Sequence, residues 1–345
     1  MSAERLLRLE QLGSEPGDIF LRLVSIERKR TSKGDPYLDL ELADGSRSLP
    51  GKLWSNSPGF NEVADLKAGA VVKIRAALDE YRGQKQLRLL RMREAVPSDE
   101  WNPEQLYGQG IETVRDLIAK RLVFDIETAP IRAVGELPEK LQQDVQRLAE
   151  DRGWPTEKVL GLNPLFSRVV SIAIGDIDGS GGAVLFAPKD EHIERLTKEG
   201  EGEQWLRVSS ETEMLRSFWT LGCNCELLVS YNGRGFDLPF LRTRSAILGV
   251  PARRDFVSQP PYVHKPHLDL YQIVTGGMRG GPMNLDAACY AFGIESPKDA
   301  MDGSQVGPAF HEGRYMDIAR YNLADIDATR SLFHRLSETV LDHLS

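Results

Sequence analysis

Apolar and polar side chains alternate strictly along Tyr37-Leu38-Asp39-Leu40-Glu41-Leu42. A period of two is what a strand with one buried face requires. The same pattern extends over most of the first hundred residues. Gly17-Asp18-Ile19 opens a run through Phe20 to Ile26 that reads as a first strand, and Ser32-Lys33-Gly34-Asp35-Pro36 turns the chain into the alternating stretch. Asp44-Gly45 turns it again before a third strand, Leu49 to Trp54. A short helical piece, Phe60 to Leu66, precedes two more strands, Ala70 to Ala77 and Gln86 to Arg93, with Arg82-Gly83 at the hairpin.

The pattern changes after Pro97. Pro97 to Gly110 is rich in chain breakers and reads as a linker, and Ile111 to Lys120 as a short helix. Arg121-Leu122-Val123-Phe124-Asp125-Ile126-Glu127-Thr128 then reads as a buried strand stopped at Ala129-Pro130. Residues 136–152 place Leu137, Leu141, Val145 and Leu148 on one helical face. Strands are expected at Arg168–Gly175 and Ala183–Phe186, a helix at Glu211–Leu221, a buried strand at Glu226–Tyr231, and a long amphipathic helix from Met316 to Leu341. The expected division is 1–97, a linker and short helix over 98–120, and 121–345.

Five short strands with a helix between the third and fourth is the order of an OB barrel. Three successive strands, a helix, and a strand able to lie beside the first is the order of a ribonuclease-H-like α/β fold. The expected architecture is therefore an all-β OB barrel followed by a ribonuclease-H-like α/β domain.

Charge refines this picture. The net charge of −8 is uneven: residues 1–97 hold 17 basic and 14 acidic side chains, for +3, and the remainder carries −11. A mildly basic front joined to an acidic back suits a binding module attached to a carboxylate-rich site. No apolar run approaches the roughly 20 residues of a membrane span, so no membrane partner is expected. The charged start, MSAERLLRLEQLG, lacks the apolar core of a signal peptide and points to the cytoplasm. Cys223 and Cys225 have no matching His or Cys cluster, so reduced thiols are expected rather than a zinc site.

In the front half, Lys33-Gly34-Asp35-Pro36-Tyr37-Leu38, Gly51-Lys52-Leu53-Trp54 and Tyr81-Arg82-Gly83-Gln84-Lys85-Gln86-Leu87 resemble OB-fold nucleic-acid-binding domains. The nearest are those that precede the catalytic domain in some bacterial 3′-5′ exoribonucleases. Such domains grip single strands with aromatic platforms and a basic groove. Tyr37, Trp54, Tyr81, Lys52, Arg82 and Lys85 are the candidates. Trp54 reads equally as core, the Arg82–Lys85 turn equally as a solvated tip, and an OB barrel can also dock a protein.

In the back half, period two puts Asp125 and Glu127 on one strand face, where two carboxylates repel unless a cation lies between them. Asn232-Gly233-Arg234-Gly235-Phe236-Asp237-Leu238-Pro239-Phe240-Leu241 bends sharply and places Asp237 at a helix start. Tyr321 and Asp325, four apart on a helix, share a face. Asp327 is a rival to Asp325 but points roughly 200° away from it. Alone, these acids also read as solvated strand residues, a helix cap and an exposed helix surface.

Together the three segments resemble the exonuclease motifs of the DEDD superfamily in its tyrosine form, nearest the proofreading domain of family B DNA polymerases. His267-Leu268-Asp269-Leu270, Met283-Asn284-Leu285-Asp286 and Asp302-Gly303-Ser304-Gln305-Val306 resemble its intermediate segments. The resemblance implies a 3′-5′ exonuclease acting on single-stranded nucleic acid, DNA favoured over RNA, and releasing nucleoside 5′-monophosphates. It implies two Mg²⁺ or Mn²⁺ ions held by Asp125, Glu127, Asp237 and Asp325, with Asp125 bridging and Tyr321 orienting the water. Thr128, Asn232 and Phe236 would hold the 3′ nucleotide, although Phe236 also reads as core. Asp269 reads as outer support or as structural. Arg279, in the Gly-rich loop 276–282, reads as an ordinary loop residue or a phosphate contact. The rival expectation is a non-catalytic binding module on a nuclease fold.

Overall fold

A computed structural model describes residues 7–260, 263–276, 283–296 and 301–341. The chain forms two compact units, 1–112 and 113–345. No helix among the described residues is long and apolar enough to cross a membrane. Residues 277–282 of the Gly-rich loop, including Arg279, lie outside the described residues.

The first unit is a closed barrel of β1 (Gly17–Arg30), β2 (Pro36–Ala43), β3 (Ser48–Trp54), β4 (Val71–Tyr81) and β5 (Gln84–Glu94), in the order β1-β2-β3-β5-β4. Helix α1 (Phe60–Val63) joins β3 to β4, as expected of an OB barrel. Its N-cap, Gly59, has φ +89°, and a Cβ there would lie 1.7 Å from the carbonyl oxygen of Met92, so only glycine fits. Leu38, Leu40 and Leu42 of β2 and Leu49 and Leu53 of β3 fill the interior.

The stretch expected as a linker is partly structural. Helix α2 (Pro103–Tyr107) is capped by the Asn102 side chain and belongs to the barrel unit. Leu106 is 2% exposed, Arg22 donates from Nε to its carbonyl at 3.2 Å, and Gly45 donates its N–H to Gln105 at 2.8 Å. One buried leucine and two backbone carbonyls dock a segment whose composition is that of a loop. Helix α3 (Ile111–Val114) follows.

The second unit contains a six-stranded sheet of β6 (Arg121–Pro130), β7 (Ser167–Asp176), β8 (Ala183–Phe186), β9 (Leu206–Val208), β10 (Leu227–Ser230) and β11 (His267–Asp269), in the order β11-β10-β6-β7-β8-β9. Strands β6, β7 and β8 pair antiparallel, while β10 lies parallel to β6 and β11 parallel to β10. This is the ribonuclease-H-like arrangement, with one short strand added at the β8 edge.

Helices α4 (Glu139–Arg152) and α5 (Thr156–Gly161) lie between β6 and β7, and α6 (Ile193–Glu199) follows β8. Helices α7 (Glu211–Asn224) and α8 (Asp237–Leu248) pack with one face of the sheet. Helices α9 (Leu270–Thr275), α10 (Leu285–Phe292), α11 (Val306–Glu312) and α12 (Tyr315–Ser337) belong with the other. A buried pair sets α8 in place. Glu211 accepts two bonds from Arg244 at 2.9 Å each and the N–H of Val169 at 2.9 Å, joining α7, α8 and β7. Removing one partner of such a pair strands the other charge and costs about 3–5 kcal/mol.

Candidate active site

Strand β6 runs through the middle of the sheet, and its alternation divides two cores. Leu122, Phe124 and Ile126 pack with Phe218 of α7 and Leu238 of α8. Val123 packs with Ile318 and Ile326 of α12. Asp125 and Glu127 have the parity of Val123, so they project towards α12. A bulge between Glu127 and Thr128 breaks the pairing with β7 directly after the second acid.

Helix α12 brings Asp325 to that face. Oxygen atoms of Asp125, Glu127 and Asp325 lie within 4.8 Å of one another. Asp325 is buried, and Asp125 and Glu127 are half-buried. Asp327 is exposed and paired with Arg330, away from this group. Asp237 begins α8 outside this group of three, buried, with its Oδ1 accepting the N–H of Ile126 at 3.3 Å.

The acids act on one another. Burial, then the charges on Asp237, Asp325 and Glu127, push Asp125 well above the usual carboxylate range. Glu127 is pushed the same way by burial, Asp325 and Asp237. Burial raises Asp237 to about 7, with a contribution from the charge on Asp269 and opposition from its backbone bonds. No basic side chain among the described residues forms a salt bridge with Asp125, Glu127 or Asp237. Clustered carboxylates whose oxygen atoms lie this close, all hard donors, fit a divalent ion such as Mg²⁺ or Mn²⁺.

Tyr321 is half-buried against the α12 core and hydrogen-bonds Asp325. Burial and the charges on Asp325, Glu127 and Asp125 push its phenol far above the ordinary tyrosine range. Its hydroxyl is available as a hydrogen-bond donor on the face that carries the acids.

The second motif is a tight turn held from below. Asn232 has φ +64°, and Asp269 accepts the N–H groups of Asn232 at 2.7 Å, Arg234 at 3.0 Å and Tyr271 at 3.1 Å. Ser230 Oγ accepts the N–H of Gly233 at 3.2 Å and bonds His267 Nε2 at 2.8 Å. A Cβ on Gly233 would lie 2.2 Å from that Oγ, so the approach requires glycine. Asp269 thus supports the turn that delivers Asp237.

The other predicted contacts fall in different settings. Asn232 is exposed at the turn. Phe236 precedes α8 with its ring 5.5 Å from Phe240 and packs against the core. Thr128 donates its hydroxyl to the Gly161 carbonyl at 2.8 Å, tying β6 to α5. Asn322 carried no role in the sequence reading, yet its Nδ2 donates to Asp125 Oδ2 at 2.7 Å. Its bond joins residues 197 apart in sequence, which no local pattern reveals.

On the barrel, Trp54 is 43% exposed, not core, and pairs across the strands with Tyr37 at 5.3 Å between rings. Lys52 Nζ lies 5.2 Å from the Tyr37 ring centre. Exposed Arg88, missed in sequence, stands in register with Lys52. Tyr81 is 60% exposed beneath the Arg82 guanidinium at 5.3 Å, and Lys85 is exposed near this hairpin tip.

A sheet of this order with acids gathered on its middle strand has the ribonuclease-H-like nuclease architecture. The chain belongs to the family described as predicted 3′-5′ exonucleases related to the exonuclease domain of PolB, whose sequence profile matches residues 162–343. That match includes Asp237, Tyr321 and Asp325 but begins after β6, so Asp125 and Glu127 join the site through the folded geometry.

A 3′-5′ exoribonuclease YhaM from Oceanobacillus iheyensis is 28% identical over 134 residues, 38% of this chain and 42% of the relative. A DNA polymerase from Pyrococcus glycovorans is 29% identical over 141 residues, 36% of this chain and 18% of the relative. These matches span less than half of either relative. A family B DNA polymerase structure from Pyrobaculum calidifontis aligns over 92% of this chain and 46% of its own, at 17% identity and a TM-score of 0.42.

Proposed function

We propose that this protein is a divalent-metal-dependent 3′-5′ exonuclease that removes nucleoside 5′-monophosphates from single strands. The grouping of Asp125, Glu127 and Asp325 within 4.8 Å, with Asp237 bonded beside them, carries this reading. Asp125, Glu127, Asp325 and Asp237 would hold two cations, which when bound neutralise charge on the attacking and leaving oxygens. Tyr321, a donor from α12, orients the attacking water. A phenol, whose ordinary pKa is about 10, is a poor base for that water's proton.

Asp269 and Ser230 fix the turn that sets Asp237. The half-buried Tyr37 and exposed Trp54, with Lys52 and Arg88 beside them, stack bases and contact phosphates of the strand. Tyr81, Arg82 and Lys85 offer a further contact at the hairpin. DNA is the favoured substrate through the family's relation to PolB. The exoribonuclease named among the relatives favours RNA as the second reading.

One assay separates these readings: matched DNA and RNA oligonucleotides, single- and double-stranded, labelled at either end and incubated with Mg²⁺ or Mn²⁺. Stepwise shortening from the 3′ end of single-stranded DNA is expected. Faster shortening of RNA selects the second reading, and no shortening of any oligonucleotide rejects both.

A further inference from the structure

Asn322 lies one residue after Tyr321 and three before Asp325, on a helix where asparagine is a poorer helix former than alanine. It is fully buried, at 0% exposure. A buried amide is costly unless both its donor and its acceptor are met. Here both are. Nδ2 donates to Asp125 Oδ2 at 2.7 Å, and Oδ1 accepts the hydroxyl of Ser171 at 2.6 Å.

The two partners fix which way the amide faces. A carboxylate that receives a cation is ionised and only accepts, so in the metal-binding form the NH₂ group faces Asp125. The carbonyl oxygen then receives the Ser171 hydroxyl, which is itself fully buried. Ser171 is also the register partner of Glu127 across β6 and β7. The relay Ser171–Asn322–Asp125 therefore starts beside one acid of the group of three, passes through the helix bearing another, and ends on the third. It engages Oδ2 of Asp125 from one side and leaves Oδ1 outside the relay.

We infer that Asn322 is a positioning residue: it holds the Asp125 carboxylate in the orientation that receives a divalent cation, and Ser171 locks the amide that does so. This rests on the metal-dependent reading proposed above. Partners that orient a metal-binding group typically contribute 10–100-fold to metal affinity. A merely structural asparagine would instead lower folding stability at every metal concentration.

The test uses the full chain and titrates Mn²⁺ by electron paramagnetic resonance, with melting in EDTA measured separately. Asn322→Leu keeps the side-chain size and removes both bonds. Its Mn²⁺ midpoint should rise about 10–100-fold, and excess Mn²⁺ should restore nuclease turnover without changing the oligonucleotide KM. Ser171→Ala leaves the amide free to turn and should raise the midpoint roughly two- to tenfold.

A folded N322L protein with the wild-type Mn²⁺ midpoint overturns the inference while leaving the proposed function intact. Failure of N322L to fold passes the decision to S171A, where an unchanged midpoint overturns it. Wild-type protein that binds no Mn²⁺ overturns the metal-dependent reading and this inference together.

Discussion

The backbone N–H of Ile126 donates to Oδ1 of Asp237 at 3.3 Å, a bond between residues 111 apart in sequence. Ile126 is the residue between Asp125 and Glu127. The first and second motifs are thus joined through the backbone of one and the side chain of the other, independently of any ion. The same carboxylate is buried and raised to about 7.

That shift predicts how metal-free protein responds to pH. A carboxyl whose folded pKa lies above its unfolded value stabilises the fold fully below the unfolded value, near 3.8, and loses that contribution as pH rises through about 7. Asp125 and Glu127 are raised in the same direction. The melting temperature in EDTA should therefore fall between pH 5 and pH 8, roughly the window these shifts define. Asp237→Asn should flatten the fall, and Mg²⁺ should offset it most at the alkaline end. A metal-free melting temperature that climbs through this window counts against the shifted acids.

Tyr321→Phe removes a donor without removing a base. The account expects kcat to fall about 100-fold while KM and the metal midpoint stay at wild-type values. The alkaline limb of the rate profile should keep its shape, because a phenol acting only as a hydrogen-bond donor takes no proton from the water. An alkaline limb that disappears in Y321F would show that the tyrosine titrates during turnover.

Thr128→Val tests a residue that the sequence alone places against the substrate. Its hydroxyl bonds Gly161 in the structure, so the expected loss is about 1 kcal/mol of stability, read by denaturant unfolding, with oligonucleotide KM unchanged. A raised KM at unchanged stability would return Thr128 to the 3′ nucleotide.

On the barrel, Trp54→Ala should weaken single-strand binding by about 1–3 kcal/mol, the range for a base stacked on an aromatic ring. Melting should scarcely change, because the indole is exposed. Lys52→Ala should reduce the salt dependence of binding. Binding unchanged in both variants, measured by fluorescence anisotropy, would assign this face to protein docking.

What could be read from the sequence follows from the range of each interaction. Alternation is local, so the strands of the barrel and β6 to β8 were legible. The alternation also contained the answer for Trp54, which shares parity with Lys52 rather than with buried Leu49 and Leu53. Helical spacing separated Asp325 from Asp327. By contrast, α2 was hidden by its loop-like composition, and Leu106 alone gave no periodic signal. The partners of Thr128 and Asp125 lie 33 and 197 residues away, so neither Gly161 nor Asn322 could be assigned from local pattern.

The most direct test of the central claim compares wild-type protein with the Asp125→Ala, Glu127→Ala double variant on a 5′-labelled single strand, with Mg²⁺ or with EDTA. The account predicts a ladder shortening from the 3′ end in Mg²⁺, none in EDTA, and a rate at least about 10³-fold lower in the variant. Undiminished shortening by the double variant, or shortening that persists in EDTA, would contradict it.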